Sequence, residues 1–291
     1  MRIDAHQHVW TEPLLAALSR RSSRPRIRRR SGGWWLEVVG EAPSLLRAAP
    51  DDVEARAALV REDGAARALV ALPTSLRADC ELIAAYEQGV DGLPTAFGAW
   101  GAIPVDEPDP AAIDDLLRSG RAGLCLPADA LAGPAQLDRI GPVLERLERH
   151  DLPLFVHPVA QDAAPGAPAW WPALTGYVAG MHAAWHAWIV AGRARHPRLR
   201  VLFAALAGLA PLHAERLAAR GGPLDAVRDA LTFYDASSYG PLALTAMRAV
   251  VGPDALVHGS DRPYAEPPPS TEAEATRNAC RLLALQEETA T

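Results

Sequence analysis

Short apolar runs alternate along the chain with longer stretches rich in Ala, Leu and Arg. The runs are continuous rather than alternating in polarity, as expected for parallel strands that are covered on both faces. They predict eight strands, at residues 2–5, 68–72, 95–103, 122–126, 153–156, 200–205, 231–234 and 255–257. The intervening stretches predict helices at residues 51–62, 78–88, 110–118, 133–149, 176–195, 209–220 and 241–250, and a terminal helix at 270–287.

Strands and helices in this alternation predict a (β/α)8 TIM barrel that occupies residues 1–291 as one domain. A doubly wound open sheet is the structural alternative. The chain lacks a Gly-x-Gly-x-x-Gly motif after a strand, which is the usual mark of a dinucleotide-binding sheet. The barrel is therefore the preferred interpretation.

Residues 19–40 interrupt the alternation after the first strand. This segment holds seven arginines, followed by Gly32-Gly33 and by Trp34-Trp35. A Gly-Gly turn between two β-prone stretches predicts a short hairpin insertion. On a barrel, such a loop lies at the face where active sites form. We interpret it as a lid that places Trp34 or Trp35 over the substrate and an arginine near an anion. The alternative is a solvated basic hairpin or a subunit contact.

Composition narrows the possible chemistry. The chain has 291 residues, is 49% hydrophobic and carries a net charge of −6, which gives no case for binding nucleic acid. It contains no lysine, so Schiff-base, P-loop and metal-bridging lysines are excluded. No apolar run is long enough to predict a membrane span. The three cysteines are far apart and fit a reducing cytoplasm.

Four residues at predicted strand ends have the side chains of a metal site. His6 and His8 point the same way because strand side chains alternate. His157 follows the fifth apolar run and Asp261 follows the eighth. All of these strand ends meet at one rim of a barrel. Three histidines and one carboxylate suit Zn²⁺, with Mn²⁺ or Fe²⁺ as alternatives, and such a site would activate water.

The chain resembles the amidohydrolase superfamily, in its amidohydrolase-related branch of lactonases and metal-dependent decarboxylases such as aminocarboxymuconate semialdehyde decarboxylase. The resemblance implies a barrel, one metal ion held by His6, His8, His157 and Asp261, and Asp261 as a proton carrier. It also implies a homodimer. The segments that carry it follow the order of the family: Ile3-Asp4-Ala5-His6-Gln7-His8-Val9-Trp10, Pro153-Leu154-Phe155-Val156-His157-Pro158, Phe233-Tyr234-Asp235, Val251-Gly252-Pro253-Asp254 and Gly259-Ser260-Asp261-Arg262-Pro263-Tyr264.

One position departs from that family. Relatives place a histidine at the end of the sixth strand, where this chain has Ala205. In the decarboxylases this histidine is a catalytic partner, so their mechanism cannot be carried over intact. His182 is the preferred replacement as an acid or base. His186, four residues later on the same helical face, and His213 are the alternatives.

Several further residues are expected to shape the pocket. Asp235 ends the seventh strand and could accept a hydrogen bond or orient a ligand imidazole. Arg262 could clamp a substrate carboxylate, although a salt bridge within the rim is the alternative. Tyr264 is expected to contact substrate. The loop at residues 158–171, with Trp170 and Trp171, is expected to form a second pocket wall.

These residues favour a metal-dependent hydrolase that opens a lactone, amide or ester of a small carboxylate-bearing or aromatic molecule. Asp261 would take the proton of the attacking water and pass it to the leaving group. The alternative is a non-oxidative decarboxylase of an aromatic or unsaturated carboxylic acid that uses the same ligands. A catalytically silent barrel that binds a ligand is a second alternative, suggested by Ala205.

Overall fold

The computed structural model describes residues 2–46, 52–159, 166–266 and 272–285. Its strands fall into two groups, those of the barrel and those of an insertion after the first strand. In chain order they are β1 (Ile3–Gln7), β2 (Arg26–Arg30), β3 (Gly33–Glu37), β4 (Ser44–Leu46), β5 (Arg67–Val70), β6 (Phe97–Ala99), β7 (Leu124–Pro127), β8 (Leu154–His157), β9 (Val201–Phe203), β10 (Thr232–Asp235) and β11 (Leu256–Val257).

Eight of these strands form a closed parallel barrel. Strands β1, β5 and β6 pair in that order, and β7 to β11 pair in sequence order. A parallel bridge between Gly101 and Leu124 joins the two sheets on one side, and a bridge between Gln7 and Arg262 joins them on the other. At that second seam the backbone N–H of Ala5 donates to the His258 carbonyl at 2.9 Å. The predicted (β/α)8 barrel is confirmed.

The helices cover the outside of the barrel and its rims. Asp52 and Asp79 cap the second and third helices by accepting from the backbone N–H of Ala55 and Leu82. The helices are α1 (Glu12–Arg20), α2 (Val53–Glu62), α3 (Cys80–Asp91), α4 (Ala112–Arg118), α5 (Pro134–Arg149), α6 (Trp171–Leu174), α7 (Gly176–Ala187), α8 (Arg193–Arg195), α9 (Ala214–Ala219), α10 (Pro241–Val251) and α11 (Glu272–Leu283). The predicted ends of the terminal helix, Ser270 and Glu287, lie outside the described residues.

Two buried apolar clusters hold these layers together. The larger one includes Phe155 and Trp100 and joins the barrel to helices α5 and α7. The second includes Trp10 and packs α1 and α3 against β5 and β6. Tyr86 of α3 belongs to it, and its hydroxyl donates to the carbonyls of Val70 and Trp100.

In the part of the chain that the structure describes, no helix is long and apolar enough to cross a membrane.

The insertion contains the predicted hairpin but is larger. Strands β2 and β3 pair antiparallel, and β4 adds a third strand that the sequence pattern did not indicate. Helix α1 separates this sheet from β1. One face of the sheet is buried, because Ile27, Leu36 and Leu46 join the second apolar cluster. Trp34 packs against the same cluster, and the guanidinium of Arg29 lies 5.8 Å from its ring centroid.

The segment after β9 differs from the predicted helix at 209–220. Five successive residues, 205–209, have φ between 48° and 67°, which forms a left-handed turn. The α-helical turns begin only at Ala214. The His182 imidazole donates to the Gly208 carbonyl at 2.7 Å, so contact with α7 stabilises this turn. Local sequence preference alone would not select it, because left-handed residues other than glycine are strained.

Candidate metal centre

Four side chains meet at the carboxyl end of the barrel. His6 lies on β1, His8 follows that strand, His157 ends β8, and Asp261 follows β11. One potential ligand atom from each lies within 4.8 Å of the other three. The Nε2 atom of His6 is 3.1 Å from the Nε2 atoms of both His8 and His157. The Asp261 carboxylate is 3.3 Å from His8 Nε2. The sequence-predicted metal ligands are thus brought together.

Hydrogen bonds on the opposite ring nitrogens fix which nitrogen faces the centre. The Nδ1 of His6 donates to Asp235 at 2.7 Å, that of His8 to the Ala71 carbonyl at 2.8 Å, and that of His157 to the Pro158 carbonyl at 2.8 Å. With Nδ1 protonated in each ring, all three Nε2 lone pairs point at one another. A cation at the centre relieves this repulsion, and neutral imidazole nitrogen with one carboxylate is a donor set for a divalent transition metal. The residues therefore fit a metal ion.

The pKa values of the four side chains in the absence of a cation also indicate a site for positive charge. Burial works to lower the pKa of His6, but the carboxylates of Asp235 and Asp261 raise it to about 9. Burial and the nearby His6 and His8 hold the pKa of His157 well below its ordinary value. Burial works against the charged form of Asp261, yet His6 and His8 lower its pKa overall. In the absence of a metal ion, a proton on His6 thus supplies positive charge at the centre.

Asp235 is fully buried at the end of β10 and holds His6 in place. Its carboxylate also accepts from the backbone N–H of Ser237 at 3.0 Å and from the Ser237 hydroxyl at 2.5 Å. Gly259 makes room for it, because a Cβ there would lie 2.1 Å from Asp235 Oδ1. This placement favours the role of orienting a ligand imidazole rather than that of touching substrate.

Two predicted substrate contacts, Tyr264 and Arg262, lie in different surroundings. The ring of Tyr264 lies beside that of His8, with centroids 5.5 Å apart, and the side chain is half exposed. The guanidinium of Arg262 is instead paired with Asp63 and Glu266. A salt bridge was the alternative to a substrate clamp, and here it engages Asp63 in the loop between α2 and β5. The role of substrate clamp is therefore without support.

The other predicted residues lie in other surroundings. His182 packs near His213 and bonds to Gly208, and its pKa is lowered chiefly by burial. Trp34 packs against the second apolar cluster, and Trp35 lies on the opposite face of β3, next to Arg30. Residues 160–165 of the expected pocket wall lie outside the described residues; Trp170 and Trp171 that follow them are exposed.

Sequence reasoning missed Tyr177 and Glu41. The Tyr177 hydroxyl, on the second residue of α7, donates to Glu41 Oε1 at 2.5 Å. Burial raises the pKa of Tyr177, and the charges of Glu41, Tyr264 and Asp261 add to this effect. The phenol therefore lies within electrostatic reach of the metal centre. No local motif marks either residue, since the two are 136 positions apart.

Comparison with known proteins finds similarity in structure only. No family model matches the chain, and no curated protein is similar to it in sequence. The apo form of IDCase from Metarhizium anisopliae superposes with a TM-score of 0.79 at 18% identity, over 99% of this chain and 98% of that one. The 5-carboxyvanillate decarboxylase of Novosphingobium aromaticivorans, solved with manganese and 4-hydroxy-3-methoxy-5-nitrobenzoic acid, gives 0.71 at 16% identity over 98% and 96%.

A third solved structure extends the pattern. The 2,6-dihydroxybenzoate decarboxylase from Rhizobium gives a TM-score of 0.67 at 14% identity, over 97% of this chain and 98% of that one. The barrel fold that the resemblance in the sequence motifs implies is confirmed. The chain shares its barrel fold with these proteins over nearly its whole length, and three histidines and one aspartate are gathered at the carboxyl-terminal mouth of its barrel.

Proposed function

We propose that this protein is a metal-dependent, non-oxidative decarboxylase of a small aromatic carboxylic acid. The observation that carries the proposal is the convergence of three Nε2 atoms and the Asp261 carboxylate on one point. Structural relatives supply the choice of reaction, since two of the three are named decarboxylases of substituted benzoates. This reverses the preference for hydrolysis that the sequence motifs gave. Manganese, bound in one of those relatives, is as good a candidate as zinc.

A divalent ion held by these four residues would supply positive charge to a substrate carboxylate and a neighbouring oxygen. Asp261 is the residue placed to move a proton, because its carboxylate lies at the centre and its side chain is 21% exposed. Because its pKa is lowered, the Asp261 carboxylate would first take a proton from solvent. Delivery of that proton to the ring carbon forms the new C–H bond as the bond to the carboxylate breaks, and the carboxylate leaves as carbon dioxide. Asp235 keeps His6 oriented, and the Tyr264 ring beside His8 offers a flat surface for an aromatic substrate.

Hydrolysis of a lactone, amide or ester is the second candidate. Ala205 favours it, because the histidine that decarboxylase relatives use at this position is missing. In the structure Ala205 begins the left-handed turn and is partly exposed. His182 does not replace that histidine in any contact that the structure describes, since its ring bonds to Gly208. The four-residue site argues against a silent barrel.

The test combines metal analysis with product analysis. Purified protein is loaded with Mn²⁺ or Zn²⁺ and assayed by elemental analysis, beside His157→Ala and the matched control His186→Ala. We expect about one equivalent of metal in the wild type and the control, and loss of it in His157→Ala. Hydroxybenzoates are then screened for release of carbon dioxide, and aryl lactones and esters for hydrolysis.

Each outcome has a definite meaning. Metal-dependent release of carbon dioxide that is lost in His157→Ala supports the decarboxylase. Metal-dependent ester or lactone cleavage without decarboxylation would replace it with the hydrolase. Failure to retain metal in the wild type would reject both.

A further inference from the structure

The hydrogen bond between Glu41 and Tyr177 crosses the mouth of the barrel. Glu41 belongs to the insertion that follows β1, and Tyr177 belongs to α7, which follows β8. In the closed ring, β8 is four strands from β1 in either direction, so these two strands are opposite each other. The most direct contact between loops after opposite strands is over the opening that those strands surround.

Contacts of the neighbouring residues agree with this position. The start of α7 lies against the rim turn after β9, because a Cβ on Gly208 would come within 3.0 Å of the Val178 carbonyl. The same opening holds His8 and His157, which come from the two opposite strands. Tyr264 lies beside His8, and besides burial the negative charge of Asp261 helps to raise the pKa of Tyr177. The pair therefore faces the space above the metal centre.

The chemistry of the pair is that of a hydrogen-bond acceptor. The Tyr177 proton is used in the bond to Glu41 Oε1, so the phenol oxygen has lone pairs to offer. Among the described residues, no protein donor occupies Glu41 Oε2. A carboxylate and a committed phenol together attract a hydroxyl or amino group and repel a second anion.

Two arginines that follow barrel strands are engaged with other carboxylates. Arg262 is paired with Asp63 and Glu266, and Arg77, in the loop after β5, is paired with Asp129. A substrate with one carboxylate for the metal would meet an anionic wall on its other side. A second carboxylate on the substrate could not bind Arg262 or Arg77 without displacing the carboxylates that already pair with them.

We infer that Glu41 and Tyr177 are specificity-determining residues that select a carboxylic acid carrying a hydroxyl or amino donor and reject a dicarboxylic acid. This inference rests on the proposed function for the carboxylate on the metal. It assigns to the insertion a role in recognition through Glu41, whereas the tryptophans that the sequence emphasised pack elsewhere.

The experiment measures binding, so that it does not depend on turnover. Dissociation constants of the manganese-loaded protein are measured by calorimetry for benzoate, for 2-, 3- and 4-hydroxybenzoate and for benzene-1,3-dicarboxylate. The variants are Glu41→Gln and Tyr177→Phe. Arg24→Ala is the matched control, because Arg24 donates to the Val38 carbonyl and supports the same insertion without touching the pair.

In the wild type, at least one hydroxybenzoate should bind about tenfold more tightly than benzoate, as a hydrogen bond to a charged acceptor allows. Glu41→Gln should lose most of this preference and bind the dicarboxylate more tightly. Tyr177→Phe should reduce the hydroxyl preference but still reject the dicarboxylate, because Glu41 keeps its charge. Arg24→Ala should keep the wild-type ratios, which separates recognition from mere support of the insertion.

Three results would overturn the inference: no hydroxybenzoate binds better than benzoate, the ratios are the same in Glu41→Gln as in the wild type, or Arg24→Ala shifts them equally. The proposed function is judged separately, by release of carbon dioxide. Selective binding without that product would reject decarboxylation and keep the recognition pair. Turnover with unselective binding would do the reverse.

Discussion

Each imidazole of the metal centre is committed on one nitrogen before any cation arrives. His6, His8 and His157 all use Nδ1 for a carboxylate or carbonyl acceptor, so the Nε2 lone pairs converge. Only the acceptor of His6 is charged, and this carboxylate belongs to Asp235. A carboxylate on the far nitrogen makes an imidazole a stronger ligand and fixes its ring.

Replacing Asp235 with Asn should therefore weaken metal binding without removing a ligand. We expect metal affinity to fall by roughly 10- to 100-fold, as for other hydrogen-bond partners of ligand histidines. Competition with a chelator of known affinity measures this change. Asp138→Asn, which alters an exposed pair with Arg195, is the control and should leave the affinity unchanged. An unchanged affinity in Asp235→Asn would mean that Asp235 does not act through His6.

Metal affinity should also depend on pH, with a sign that follows from His6. Its pKa of about 9 in the metal-free site means that a proton occupies the centre at neutral pH. A metal ion must displace this proton, so apparent affinity should rise with pH up to about 9, by at most about tenfold per pH unit. Chelator competition at pH 6, 7, 8 and 9 measures it. An affinity that is constant over this range would contradict the protonated site.

The same proton contributes to the stability of the metal-free protein. The folded-state pKa of His6 is raised above its ordinary value of 6.5. Its contribution to the free energy of unfolding is therefore complete below pH 6.5 and is lost as the pH rises through about 9. Metal-loaded protein should not show this loss, since the cation replaces the proton.

Among the elements, the left-handed turn at residues 205–209 is the least expected from local preference. A left-handed conformation costs an L-residue roughly 1–2 kcal/mol, and only Gly208 in this turn is a glycine. Burial of Leu206 and Ala207 and the bond from His182 to Gly208 offset that cost. The turn thus gives His182 a structural contact, and a catalytic role for His182 stays a prediction.

Two glycine substitutions, one in this turn and one after α9, separate backbone strain from steric conflict. Gly208 and Gly221 both have positive φ, of 62° and 79°, so Gly→Ala should cost each of them about 1 kcal/mol of unfolding free energy in strain. Space for a Cβ is open at Gly221, whereas at Gly208 it would meet the Val178 carbonyl at 3.0 Å. Urea unfolding should show the larger loss for Gly208→Ala. Equal losses would mean that α7 moves freely away from the turn.

At the scale of the whole molecule, the closing seam of the barrel also carries the metal centre. Asp4 on β1 accepts the backbone N–H of His6 at 3.1 Å and that of Ser260 at 3.0 Å. Its other oxygen accepts from the side-chain amide nitrogen of Gln7. The side-chain amide oxygen of Gln7 in turn accepts from the buried Arg56. One buried carboxylate thus joins the first and last barrel strands next to three of the four ligands.

Asp4→Ala should damage folding and metal binding together. It leaves three buried donors without their acceptor, and each costs about 1–3 kcal/mol, so we expect a loss of about 3 kcal/mol or more. Metal affinity should fall as well, because the seam positions His6 and Asp261. Asp4→Asn keeps one acceptor oxygen, so its unfolding free energy and metal affinity should lie between those of the wild type and Asp4→Ala. Urea unfolding and chelator competition measure the effects; a stable Asp4→Ala protein with normal metal affinity would show that the seam closes without this carboxylate.

Short-range periodicity was enough to predict the barrel strands and the position of the candidate site. Continuous apolar runs predicted all eight barrel strands, and the period of two placed His6 and His8 on one side of β1. Because parallel barrel strands end at one rim, His157 and Asp261 could be assigned to the same site from their positions alone. The expected homodimer remains a prediction.

Tertiary structure decided what depends on partners distant in the sequence. The salt bridge of Arg262 with Asp63, the bond of His182 to a left-handed turn and the contact of Glu41 with Tyr177 each join residues that no local pattern relates. A side chain's chemistry is set by the charges and acceptors that folding brings to it, whereas strand position is set by its own neighbours in the chain. For this reason the sequence predicted the four candidate ligands, and the fold decided which hydrogen-bond and salt-bridge partners surround them.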